Sequence, residues 1–116
     1  MENYKIFVTS KATILLIVLP KDAYDIKISQ LIGDRQKIRT RNESMPLPQG
    51  NWQLIGKLSE VSEEVAKGLV DGKSAFRCYH LPKAKLLYRT AIESLTSIAT
   101  HLGMELTDNI YLLKKI

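Results

Sequence analysis

Residues Thr13 to Leu19 read Thr-Ile-Leu-Leu-Ile-Val-Leu, a β-branched and leucine-rich run that Pro20 stops. No other segment constrains the fold as strongly. The run is far below the roughly 20 apolar residues that a membrane-spanning helix needs. It is also a poor signal peptide: Lys11 interrupts the apolar region, and Pro20-Lys21-Asp22 follows where small residues should precede a cleavage site. A short, wholly apolar segment bounded by proline suits a strand buried on both faces. Without a recognisable targeting segment, the expected location is the cytoplasm.

The 116 residues are 45% apolar and 25% charged, which predicts one globular domain spanning 1–116. Cys78 is the single cysteine, so the chain has neither an internal disulfide nor a cysteine-based metal site of its own. No cofactor or metal is expected.

Further along, Asp22-Ala23-Tyr24 reads as a turn, and Tyr24 to Ile28 alternates apolar and polar residues like a half-buried strand. Gly33-Asp34 marks a second turn. Asn42 to Gly50 holds Pro46, Pro48 and Gly50 and reads as a loop. It leads into a strand from Asn51 to Leu58, with Trp52, Leu54 and Leu58 on one face and Trp52 in the core. Ser59 or Ser62 then caps a short helix with Glu63 and Glu64 in its first turn. Its apolar stripe is Val61, Val65, Ala66 and Leu69, and Asp71-Gly72 ends it. Ala75 to Tyr79 is a possible strand. From Lys83 or Lys85 the spacing of Leu87, Ala91, Leu95, Ile98 and Leu102 predicts a long helix ending at Gly103. Asn109 to Ile116 predicts a closing strand. The expected architecture is α+β: a small, mostly antiparallel sheet of four or five strands with two helices packed on it.

Seventeen Lys and Arg face twelve Asp and Glu, and the excess is clustered. Arg35, Lys37, Arg39 and Arg41 stand at every second position with no acid among them. On an extended chain they share one face, opposite Gln36, Ile38 and Thr40. So charged a strand is expected at a sheet edge. Gly72 to Ile92 contains no carboxylate and carries Lys73, Arg77, Lys83, Lys85 and Arg89, interleaved with Phe76, Tyr79, His80 and Tyr88. Interleaved rings and cations suit a nucleic-acid strand, with Tyr79 and Tyr88 stacking on bases and the cations tracking phosphates. The plainer alternative is a solvated strand in the first cluster, and core aromatics beside a solvated helix start in the second.

Three pieces of the chain resemble a known family. Ile14 to Tyr24 (ILLIVLPKDAY), Leu47 to Glu60 (LPQGNWQLIGKLSE) followed by Glu63-Glu64, and Tyr111 to Ile116 (YLLKKI) are similar to small proteins of phages, prophages and mobile elements of the Bacteroidetes. The Gly-Asn-Trp string and its continuation are the most distinctive part. That family has no assigned catalytic or binding residues, so no site is carried over. The resemblance implies a setting in which small basic proteins often inhibit host defence, as anti-CRISPR proteins do. One such group acts on the RNA-guided, RNA-cleaving type VI-B effectors of these bacteria.

Catalytic signals are sparse. Cys78 and His80 would share a face on a strand, the only candidate thiolate–imidazole pair. Glu63 and Glu64 are adjacent and point apart, and His101 suits the negative end of the long helix. No phosphate loop, zinc spacing or nucleophile elbow is present. The expectation is therefore a non-enzymatic protein whose basic faces engage a host CRISPR effector, its RNA or both. The alternative is a structural or interaction module of phage assembly or replication, contacting its partner through an apolar sheet edge.

Overall fold

The computed structural model describes residues 4–20, 26–30, 36–41, 43–70, 90–104 and 109–116. In chain order the elements are β1 (Tyr4–Val8), β2 (Thr13–Val18), β3 (Lys27–Gln30), β4 (Gln36–Arg39), β5 (Ser44–Pro46) and β6 (Trp52–Lys57). A 3-10 turn (Leu58–Glu60), α1 (Glu63–Lys67), α2 (Ala91–His101) and β7 (Ile110–Lys115) follow. The class is α+β and every described strand pairing is antiparallel. The strands divide into two sheets, ordered β1-β2-β7-β6 and β3-β4-β5, where the sequence pattern had suggested one.

The division follows from the two apolar strands. β2 and β7 lie side by side at the centre of the larger sheet, with Leu15 opposite Leu113 and Leu16 opposite Leu112. Because side chains alternate along a strand, each contributes to both faces. Ile14, Leu16, Ile110 and Leu112 pack with Ala66, Leu69, Val70, Leu95 and Ile98 beneath the helices. Leu15, Ile17, Tyr111 and Leu113 pack with Ile38, Leu47 and Trp52, beneath the smaller sheet. The result is three layers: helices, four-stranded sheet, three-stranded sheet.

Several local expectations change in this setting. Trp52 and Leu54 do face the smaller sheet, but Leu58 packs on the helix side with Ile55. A register shift between Leu54 and Gly56 is the reason. Gly56 holds φ +146°, a backbone angle that side chains disfavour, and the bulge reverses the alternation after it. In α1, Ala66 is buried while Val65 is 45% exposed, so the apolar stripe is narrower than its spacing predicted. That helix stops at Lys67 with Gly68 as its cap, short of Asp71-Gly72. The segment expected to be a loop supplies β5.

The described long helix begins at Ala91; Lys83, Lys85 and Leu87, from which the helix was expected to start, lie outside the described residues. Thr90 has extended backbone angles and caps it: its hydroxyl accepts from the Glu93 N–H at 3.1 Å, and the Glu93 carboxylate accepts from the Thr90 N–H at 3.3 Å. At the other end, Gly103 at φ +79° permits paired bonds from the Gly103 N–H to the Thr100 carbonyl and from the Met104 N–H to the Ala99 carbonyl. The two N–H groups left over at the start of α2 are taken by a residue 28 positions away. Glu63, in the first turn of α1, accepts from Ala91 and Ile92, both at 2.9 Å. All four N–H groups of Thr90 to Glu93 are thereby satisfied. Those backbone donors, from Ile92 and then Ala91, hold the Glu63 carboxyl below its ordinary value of 4.5.

The other end of α1 is tied to the β1–β2 hairpin. The Thr9 hydroxyl donates to the Leu69 carbonyl at 2.6 Å and accepts from the Ala12 N–H at 3.0 Å, and Lys11 Nζ donates to the Lys67 carbonyl. Thr9 is buried, so Thr9→Val should remove these bonds and cost about 1–3 kcal/mol, read as a lowered urea midpoint. Glu63→Gln should destabilise the fold in a pH-dependent way. Because the native pKa lies below the unfolded one, the wild-type advantage is complete above about pH 4.5 and disappears as pH falls through the native value. Urea midpoints of both proteins at neutral and acid pH test this. A gap that does not change with pH would remove the carboxylate charge from the account.

Candidate nucleic-acid interface

The smaller sheet buries one side and presents the other. Ile28, Ile38 and Met45 stand opposite one another in register and face the core, with Ile38 fully buried. Gln36 holds the segment after β5 and the start of β6: its backbone carbonyl accepts from the Leu47 N–H at 2.9 Å, and its side-chain oxygen accepts from the Trp52 N–H. The Trp52 indole donates to the Pro48 carbonyl at 3.0 Å. These bonds and the Ile38 anchor fix which side of β4 points outward.

The outward row on β4 is Lys37 and Arg39, as the period of two predicted. Arg39 is exposed and Lys37 half-buried. Arg41 leaves the strand: it sits in the turn between β4 and β5, closed by the Thr40 N–H to the Glu43 carbonyl at 2.9 Å and by the Glu43 N–H to the Thr40 hydroxyl at 3.1 Å. The expected sheet-edge placement is not found. β4 is the middle strand, paired with β3 on one side and β5 on the other. Ser44, Met45 and Pro46 cover the edge that the charge pattern had suggested would be open, and Pro46, lacking an N–H, suits the edge position of β5.

The pairing also adds a cation that linear reading did not single out. Lys27 of β3 stands directly opposite Arg39, and both are exposed. Directly opposed residues have Cβ atoms about 4.5–5.5 Å apart, and alternate residues along a strand are about 6.6–6.8 Å apart. Lys27, Arg39 and Lys37 therefore form a compact cationic triangle. The alternation of Ile26, Lys27 and Ile28 already marked Lys27 as outward-facing, but only the register places it beside Arg39.

Arg35, Lys73, Arg77, Tyr79, Lys83, Lys85, Tyr88 and Arg89 lie outside the described residues, as do Cys78 and His80. His101 occupies the last turn of α2, where a basic side chain complements the helix dipole. The outer face of β3-β4-β5 is thus the basic cluster whose geometry is defined. Two lysines and an arginine give this face its positive charge.

No protein-family model, curated protein or solved structure matches this chain. No described helix is long and apolar enough to cross a membrane.

Like charges directly opposed on a sheet repel. Lys27→Glu, which converts the Lys27–Arg39 pair into an opposite-charge pair, should therefore raise stability by about 0.2–1 kcal/mol, measured by urea denaturation at low salt. A neutral or destabilising effect would mean that the two cations do not burden the fold.

Proposed function

We propose that this chain is a non-enzymatic inhibitor that binds a polyanionic partner by occupancy, with the outer face of β3-β4-β5 as a principal contact. The observation that carries this reading is the direct opposition of Lys27 and Arg39, with Lys37 beside them, on a sheet face whose other side is anchored in the core. Local packing gains nothing from three cations at such spacing. A phosphate backbone or an acidic groove would gain from all three, and the arginine guanidinium matches phosphate in bidentate fashion. The resemblance to Bacteroidetes phage and mobile-element proteins supplies the setting. The partner is then a host RNA-guided, RNA-targeting nuclease or its guide RNA, met in the bacterial cytoplasm.

A second reading has its own observation. β1 is an edge strand with an unbroken register against β2, and Ile6 and Val8 on it are 42% and 59% exposed. An interaction module of phage assembly or replication would use such an edge through backbone pairing and apolar contact.

Affinity capture of tagged protein from host lysate, with and without ribonuclease, separates the two. The inhibitor reading expects an RNA-guided nuclease or its RNA, lost on Lys27→Glu/Arg39→Glu substitution and at raised salt. Recovery of phage assembly proteins alone, unaffected by ribonuclease, salt or that double variant but lost on Ile6→Glu, would replace it with the edge-strand reading.

A further inference from the structure

We infer that β1 pairs with β1 of a second copy of this chain, joining two four-stranded sheets across a two-fold axis at Ile6; this does not rest on the polyanion reading above. Three of the four described edge strands are blunted in the usual ways. β6 carries the Gly56 bulge, β5 has three residues and ends in Pro46, and β3 presents Lys27. β1 is different. It runs for five residues in unbroken register with β2, and no described strand pairs with its other side. Among the described residues four large hydrophobics are exposed, and two of them are Ile6 and Val8 of this strand.

The phase of the backbone decides what an added strand must match. The Thr9 N–H donates to the Ala12 carbonyl at 2.8 Å, so Thr9 and Ala12 form a hydrogen-bonded pair of the hairpin. Such pairs alternate along an antiparallel ladder, so Phe7 and Lys5 also turn their backbone groups toward β2. The N–H and C=O groups of Tyr4, Ile6 and Val8 therefore point to the open side. Set antiparallel about Ile6, two copies place Ile6 opposite Ile6 and each Tyr4 opposite a Val8. All three pairs then exchange two hydrogen bonds each, and every outward group of the strand is satisfied. The side chains match as well. Tyr4, Ile6 and Val8 share the face of Leu15 and Ile17, so the apolar row beneath the smaller sheet continues from one copy into the next. On the other face Lys5 meets Phe7. Moving the axis to Lys5 opposes two like charges, and moving it to Phe7 carries Tyr4 past the end of the other copy's strand. The strand is thus complementary to itself in one register. Both smaller sheets lie on the same side of the joined sheet, which presents the two cationic faces together.

The test is the mass of the full chain in solution, read by sedimentation over a range of concentrations. The expected result at high concentration is twice the mass of one chain. Ile6→Lys and Ile6→Glu each set like charges against one another across the axis, so either variant alone should be monomeric. An equimolar mixture of the two should recover the doubled mass, because the opposed pair is then of opposite charge. Amide exchange of the unsubstituted chain gives a second readout that needs no variant. In the dimer the Tyr4, Ile6 and Val8 amides are protected along with those of Lys5 and Phe7, whereas a lone β1 edge protects only Lys5 and Phe7. A single-chain mass at every concentration overturns the inference, and protection of the outward amides by a captured foreign protein would then assign the edge to that protein. A doubled mass that both variants keep, a mixture of folded variants that stays monomeric, or an unprotected Ile6 amide overturns it equally.

Discussion

Strands β2 and β7 are apolar on both faces, and this requirement organises the molecule. A strand with one polar face can border water, but Ile14 to Ile17 and Ile110 to Leu113 leave no such face, so each side of the larger sheet must be covered. The helices cover one side and the smaller sheet the other. Core leucines and isoleucines of this kind contribute about 1.5–3 kcal/mol each on burial, which makes the β2–β7 pair the main source of stability. The candidate interface is a consequence. The smaller sheet is held in place by its apolar side, and its other side remains outward and cationic.

The helix layer is held by groups far apart in sequence. α1 has five residues, too few to persist in water without packing. Its first turn supplies the carboxylate that closes the start of α2, and the carbonyls that end it accept from Thr9 and Lys11 of the β1–β2 hairpin. A short helix in this position acts as a connector: it joins the hairpin to α2 through hydrogen bonds that neither end could complete alone. Glu63, read from sequence only as a first-turn acid of α1, serves the start of α2 for this reason.

The candidate interface was partly legible. Alternation between charged residues and Gln36, Ile38 and Thr40 identified the outward side of β4, since the period of a strand is two and only one side can carry a buried isoleucine. It did not identify the neighbours. The inferred edge position rested on charge alone, and charge does not reveal that a proline-containing segment will pair alongside. Lys27 joined the cluster only through its pairing with Arg39. The start of α2 shows the reverse case. Thr90 and Glu93 spell a capping box in the sequence, but the apolar spacing of Leu87 with Ala91 extended the expected helix past it. That local hydrogen-bonded cap sets the start of the described helix at Ala91.

By itself, the sequence determined the elements whose signals are local. These include the apolar central strands, a serine cap on α1, the Gly103 stop, the burial of Trp52 and the side of β4 on which the cations project. Each follows from a backbone preference or a side-chain period within a few residues. Only the tertiary structure decided that the strands form two sheets, that β4 lies between partners, that Gly56 turns Leu58 toward the helices, and that Glu63 serves α2. Those outcomes depend on which distant segments can satisfy the same buried surface and backbone groups together. That competition is settled by packing and hydrogen bonding across the whole fold, and no short window of sequence contains it.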